Sequence, residues 1–452
     1  MGFLKAWAVT PTTPEGEPRA DGVTAEWSFA DRYFDSFDDT LATCIGRDFV
    51  GISATSPQYD DAHAIATAIK ARSPNTQTIL GGYHGTILAT QLASDPVWDW
   101  IVVKEGEEAF LDVLNQNLGP WNQRSPVSPK IIEAEYLTVP QLESLRPDRE
   151  FIRQRERNME QAADENEGAL ICASFTSRGC PYQCNFCGSK EVWSRSSRYR
   201  SPTNILEEME WLMRNMGMTL WKAADDLFTL NNKRTLEFCR LKKGWPWEPL
   251  RALPFGCNAR VNGLTEEVIK ELSEAGCQEM WLGAESGSEL ILAEMNKGIQ
   301  LEQSIRVFEW CREYGISTRA YLLLGSPSET HETIEETRQF VHRLKPDTAS
   351  ATILAPYPGT LHSYLPVMHD EGHPDNCQFC AVFPGTEVGA SYLDAVPSWR
   401  MVDEHGSYIW RTEALSNADL RAYQRKLHDE WEEFAELSHN ARRHQDEAPE
   451  GF

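Results

Sequence analysis

The sequence has no apolar run near the ~20 residues that a membrane-spanning helix needs, so no membrane partner is expected. Its opening, MGFLKAWAVTPTTPEGEP, lacks the long apolar core and small-residue cleavage site of a secretory signal, and the expected location is cytoplasmic. Basic residues are few: 43 Lys and Arg stand against 68 Asp and Glu, for a formal net charge of −25. Nucleic acid, whose binding depends on Lys and Arg contacts to phosphate, is therefore not an expected partner. A negative field would concentrate a cationic substrate, although solubility alone also accounts for it. Eleven cysteines are present without a pairing framework, which fits reduced thiols. What the chain does have is size: 452 residues, 41% hydrophobic, suffice for two or three domains with real cores.

Three cysteines stand apart from the rest. In ICASFTSRGCPYQCNFCGS (residues 171–189), Cys180, Cys184 and Cys187 follow the strand-like run Leu170 to Thr176 at C-x3-C-x2-C spacing. Thiolates ligate iron–sulfur clusters, and three of them would hold three irons of a cubane, leaving the fourth open. A zinc site would want a fourth Cys or His, and none lies within the next several residues. With Phe186 as the aromatic of C-x3-C-x-aromatic-C and Arg178-Gly179-Cys180-Pro181 around it, the stretch resembles the motif of the radical S-adenosylmethionine (SAM) enzymes. The resemblance implies a [4Fe-4S] cluster on Cys180, Cys184 and Cys187, with SAM on the open iron and Phe186 beside it. It also implies a one-electron donor of the flavodoxin or ferredoxin type.

Upstream, DFVGIS (48–53), a helix-like Tyr59 to Arg72, Thr78 to Leu80 and Trp100 to Val103 alternate strand with helix, which implies a parallel sheet. GGYHG (81–85) and VVKEGEEAF (102–110) resemble the second half of the cobalamin-binding domain that many radical SAM enzymes carry. The first half departs from it. A strand over Phe3 to Val9 is followed by the Pro-rich TPTTPEGEPRADG, where a complete domain would place a helix and a strand. Asp61-Ala62-His63 resembles a cobalt-ligating motif but falls within a helix, so His63 is read as a helix-surface residue. The expectation is a shortened Rossmann-like domain over residues 1–118 without bound cobalamin, then a linker over 119–168.

From Leu170 onward six strand–helix units can be counted, with strands at Leu170–Thr176, Thr219–Ala224, Ala252–Cys257, Glu279–Gly283, Ser317–Leu324 and Thr348–Leu354. Such repeats close into a barrel or part of one, with function at the strand C-termini. The count matches the partial (β/α)6, TIM-like barrel of the radical SAM family, expected over 169–362. DDLFT, AESGS, GSPSET and PYPGT at the strand ends are similar to the cobalamin-type members. By that resemblance Glu285, Ser286, Asp226 and Arg260 would bind SAM, the Arg suiting its carboxylate, and Gly325 and Pro327 would line the adenine. Several of these residue types also cap helices.

Residues 363–452 form a mainly helical C-terminal extension, with helical spacing over Asn417 to His439 and a charged, frayed end over 440–452. His369, His373, Cys377 and Cys380 leave a second metal or cluster, redox thiols, or a plain loop open. Length, shortened first domain and acidic balance together resemble the radical diol dehydratase of apramycin (aminoglycoside) biosynthesis. That resemblance implies hydrogen abstraction from a cationic aminosugar such as paromamine, dehydration of a vicinal diol, and a nicotinamide-dependent reductase acting on the product. The alternative is cobalamin-dependent methylation of an unactivated carbon.

Overall fold

The two tracts of strand–helix alternation become two parallel sheets. The structure, a computed structural model, describes residues 28–32, 35–115, 130–144, 170–355, 357, 359–360, 412 and 414–446. Helix α1 (Phe37–Cys44) starts at Ser36, whose hydroxyl accepts from the Asp39 amide. It leads into β1 (Phe49–Ser53), α2 (Tyr59–Arg72), β2 (Gln77–Gly81), α3 (Gly82–Ile87), β3 (Trp100–Val103), α4 (Glu107–Leu114) and β4 (Ile131–Glu133). The four strands pair in that order, all parallel. Alternate side chains go to opposite faces: Leu80 and Ile101 pack with Tyr59 and Trp98, Ile79 and Val102 with Phe110 and Val113. Both faces are covered, as a parallel sheet requires. β4 lies where the sequence suggested only linker, because three residues are too few to display a period. Glycine-rich Gly82–Ile87 is already helical rather than a bare turn. The strand expected over Phe3 to Val9 lies outside the described residues.

After α5 (Val139–Ser144) the second sheet begins with β5 (Ile171–Ser174) and a hairpin, β6 (Ser177–Arg178) and β7 (Arg198–Tyr199), that encloses α6 (Ser189–Trp193). Then follow α7 (Pro202–Met216), β8 (Leu220–Ala223), α8 (Asn232–Lys243), β9 (Phe255–Ala259), α9 (Glu266–Glu274), β10 (Cys277–Glu285), α10 (Glu289–Glu294) and α11 (Leu301–Glu313). β11 (Ser317–Leu324), α12 (His331–Leu344), β12 (Thr348–Ile353) and α13 (Asn417–Asp446) complete it. Spatial order follows chain order, β5-β8-β9-β10-β11-β12, giving the partial (β/α)6 barrel. Helix α7 shows why these boundaries hold. Ser201 caps its first turn, Pro202 supplies the preset φ, and Gly217 ends it at φ 73°.

One face of each barrel strand, including Trp221, Phe255, Met280, Leu282, Ala320 and Leu322, packs on the helices in a single core. The alternate residues face the concave lumen. α13 covers the β12 edge through Leu420, Leu427 and Trp431, with Gln424 Nε2 donating to the Ala351 carbonyl at 2.9 Å. Several boundaries differ from the sequence reading; β10, for one, runs from Cys277 to Glu285. Residues Glu248–Ala252 are helical, so β9 starts at Phe255. The last helix runs past His439 to Asp446. Pro356, Pro358, His369, His373, Cys377 and Cys380 lie outside the described residues. No described helix is long and apolar enough to cross a membrane.

Candidate active site

The cysteine loop hangs from the end of β5, and a buried carboxylate aims it. Asp225, just past β8, accepts from the Thr176 amide at 2.5 Å, the Ser177 amide at 3.0 Å and the Ser177 hydroxyl at 2.8 Å, and also from the Thr176 hydroxyl. Gly179 then turns at φ 98°, where a Cβ would lie 2.4 Å from the Ser196 carbonyl. Beyond it the loop is tied to the end of α10: Asn185 N donates to the Met295 carbonyl at 2.9 Å, and Asn296 Nδ2 to the Gln183 carbonyl at 2.9 Å.

Cys180, Cys184 and Cys187 are free thiols, Cys184 buried and the other two half-buried. Burial raises the Cys180 thiol and pushes Cys187 up to about 11, and charge on the neighbouring cysteines adds to both. A metal must therefore displace their protons. Among the described residues no three His, Cys, Asp or Glu side chains converge on a single-ion site. In a cubane each thiolate takes its own iron, so the three sulfurs need not converge on one point.

Arg260 and Asp226 are brought to this loop. The buried Arg260 places Nη1 3.3 Å from Cys184 Sγ and its guanidinium 3.8 Å over the Tyr182 ring. Asp226 accepts from the Ser189 hydroxyl, and burial raises its carboxyl. Glu285, in the left-handed region at φ 59°, pairs with the buried Lys297 at 2.5 Å. Lys297 Nζ lies 5.7 Å from the Phe186 ring centroid, and a Cβ on Gly283 would fall 2.4 Å from the Glu285 carboxylate. Ser286 is committed elsewhere: its hydroxyl bonds the Thr337 hydroxyl of α12 at 3.0 Å and accepts from the Ser288 amide. Gly325 turns at φ 93° and donates to the buried Glu329, whose carboxyl burial pushes up to about 7. Pro327 follows, half-buried. A cavity of ≈ 340 Å³ adjoins the loop, with Tyr182, Tyr199, Asn231 and Arg260 in its wall.

The first sheet meets this site with the C-terminal ends of its strands. After β2, the Tyr83 hydroxyl occupies the space of a Gly188 side chain: a Cβ there would be 1.7 Å away. After β3, Glu105 pairs with Arg198 at 2.5 Å and Glu107 with Arg178 at 2.7 Å, all four largely buried. Gly82, at φ 82°, lies against Ser53 and Ala54, so this edge is tight and glycine-dependent. Sequence reasoning missed Lys297, Tyr83 and Glu329. The EGEE run was visible, but not its partners. His63 sits on α2, paired with Asp95 at 2.8 Å.

Residues 174–341 match the Radical SAM superfamily and residues 24–114 the B12 binding domain. An uncharacterised methyltransferase of Pyrococcus horikoshii is 30% identical over 75% of this chain and 72% of its own. The anaerobic magnesium-protoporphyrin IX monomethyl ester cyclase of Cereibacter sphaeroides is 28% identical over 69% of this chain and 52% of its own. The solved radical SAM methyltransferase TsrM of Kitasatospora setae, with cobalamin and a [4Fe-4S] cluster bound, superposes with a TM-score of 0.61 at 19% identity, covering 86% of this chain and 81% of that one. These findings overturn two expectations. The B12 binding domain removes the ground for expecting no cobalamin. The diol dehydratase reading falls as well, since these relatives are methyltransferases and cyclases. With its B12-binding sheet set against the cysteine loop of a partial barrel, the chain belongs to the radical SAM superfamily, among the members that carry a B12 binding domain.

Proposed function

We propose that this protein is a cobalamin-dependent radical SAM methyltransferase acting on a small molecule. One observation carries the reading: the strand ends of the B12 binding domain press on the hairpin that holds Cys180, Cys184 and Cys187. Two reactive centres that serve one substrate must be held close, and this docking holds them. The methyltransferase names of the Pyrococcus and Kitasatospora proteins point the same way. When bound, the cluster supplies the electron that cleaves SAM and cobalamin carries the methyl group.

The chain's own residues do the rest. Cys180, Cys184 and Cys187 give up their protons and hold three irons. Arg260 offsets the thiolate charge at Cys184. Glu285 and Asp226 accept from the SAM ammonium, Lys297 meets its carboxylate, and Phe186 packs beside them. Gly325 and Pro327 border the adenine, with Glu329 fixing the turn. In this reading residues 1–118, with β4 returning to the same sheet, bind cobalamin and 169–362 bind cluster and SAM, while α13 of the C-terminal extension covers the β12 edge. Anaerobic protein expressed with hydroxocobalamin should contain stoichiometric cobalt, iron and sulfide. With SAM and a reductant it should release 5′-deoxyadenosine and S-adenosylhomocysteine. Protein with a full cluster but no cobalt would sink the methyltransferase reading.

A further inference from the structure

The concave face of the barrel sheet carries an unusual set of side chains. Among the described residues the charged side chains deep in the lumen are Lys222 on β8, Glu279 on β10 and Arg319 on β11. The Glu279 carboxylate lies 3.8 Å from Lys222 Nζ and 3.9 Å from Arg319, too far for close hydrogen bonds. All three side chains keep 30 to 42% of their surface open. Two cations share one carboxylate, so this floor has one net positive charge in a chain whose total is −25. Higher up, Glu285 is already matched by Lys297.

Above the floor lie two aromatic rings. Trp281 leans over β9, where Gly256 leaves the room: a Cβ there would be 3.0 Å from the indole. Lys222 Nζ sits 4.7 Å from the same ring centroid. Tyr321, mid-strand on β11 and opposite Gly283, is 38% exposed. A large aromatic open to a concavity in the middle of a sheet is a binding wall rather than core. Glu285 stands six positions beyond Glu279 along β10, about 20 Å of strand, enough for SAM above and a substrate below.

We propose that the lumen takes a substrate with a flat apolar body, stacked on the exposed Tyr321 beside the largely buried Trp281, and an anionic group at its deep end, held by Lys222 and Arg319. This rests on the reaction centre lying at the strand C-termini, so that the anion anchors the far end and presents the opposite end to the cysteine loop. It reverses the expectation of a cationic aminosugar, for which the lumen would need a surplus of carboxylates.

Equilibrium dialysis of the anaerobically purified full-length protein against 2-naphthoate, 2-naphthylmethanol and 2-naphthylmethylamine reads the proposal directly. The acid should bind about tenfold more tightly than the alcohol, and the amine most weakly. Raising salt until the Debye length falls from ~30 to ~8 Å should weaken only the acid, a test that needs no variant. Lys222→Met and Arg319→Met should each erase most of the preference, and Lys222→Glu should invert it, with circular dichroism confirming the fold. An amine that binds as well as the acid, a ranking indifferent to these substitutions, or no saturable binding of any probe overturns the proposal. Cobalt and iron contents on the same samples keep the readings separate. Their loss sinks the methyltransferase and leaves the ranking standing, whereas a flat ranking at full loading sinks only the anionic substrate.

Discussion

The top and the underside of the barrel sheet are built from the same residue types to opposite ends. On the underside Lys242 is fully buried, and its ammonium donates to the carbonyls of Arg251 at 3.1 Å, Leu253 at 2.8 Å and Ala275 at 2.8 Å. Burial lowers it to about 8. Cys239, Cys257, Cys277 and Cys311 are buried there as well, and burial pushes Cys239 up to about 12. At the top, Lys297 faces a carboxylate, and three cysteines share one loop whose outer two are half-buried. Neither a buried lysine nor a cysteine marks function by itself. Below, neutral partners satisfy each group and leave nothing to react. Above, charges are matched by charges, and thiols remain within reach of an incoming metal.

Paired substitutions would break that contrast if it is wrong. Cys184→Ala should abolish cluster assembly and SAM cleavage, read as iron, sulfide and 5′-deoxyadenosine. Cys239→Ala should keep all three and cost only ~1–2 kcal/mol in denaturant unfolding. Lys242→Met leaves three buried carbonyls without a donor, and should lose on the order of 3 kcal/mol with SAM affinity unchanged. Lys297→Met should instead lose SAM affinity at full iron loading. Glu329 sharpens the comparison through pH. Its folded pKa of about 7 lies above the ordinary ~4.3, so the protonated form favours folding. That contribution, at most ~3 kcal/mol, is present below pH ~4.3 and lost as pH rises through about 7. Glu329→Gln should therefore gain stability over the parent at pH 8 and not at pH 4. Gly188→Ala should cost ~1–3 kcal/mol, and Tyr83→Ala should relieve it in a double-mutant cycle.

Much of this architecture could be read before the structure, where the signal was periodic or local. β11 begins and ends at the expected Ser317 and Leu324, because its apolar run Ala320 to Leu324 stands between the glycines Gly315 and Gly325. The cysteine loop was visible because its chemistry lies within eight residues, Cys180 to Cys187. What stayed hidden came from several strands at once. Lys222, Glu279 and Arg319 are far apart in sequence, and only closure of the sheet makes them one floor. Ser286 looked like a ligand from its place at a strand end, but its hydroxyl faces Thr337. The cobalamin inference failed for a chemical reason. A short first half and the lack of a ligating histidine in its loop do not exclude the cofactor, because residues 24–114 still match a B12 binding domain and the corrin ring holds its cobalt without a protein side chain.

Asp225 has a bearing on how the protein is assembled. Four hydrogen bonds to its carboxylate tie Thr176 and Ser177 to the end of β8, so the cysteine loop takes its orientation from a neighbouring strand. A zinc finger collapses when its metal is stripped, but this loop should remain a standing receptacle, ready to be refilled. Maturation then becomes delivery into a finished frame rather than a step of folding. Oxygen damage to the cluster would leave a protein that can be repaired rather than one that must be made again.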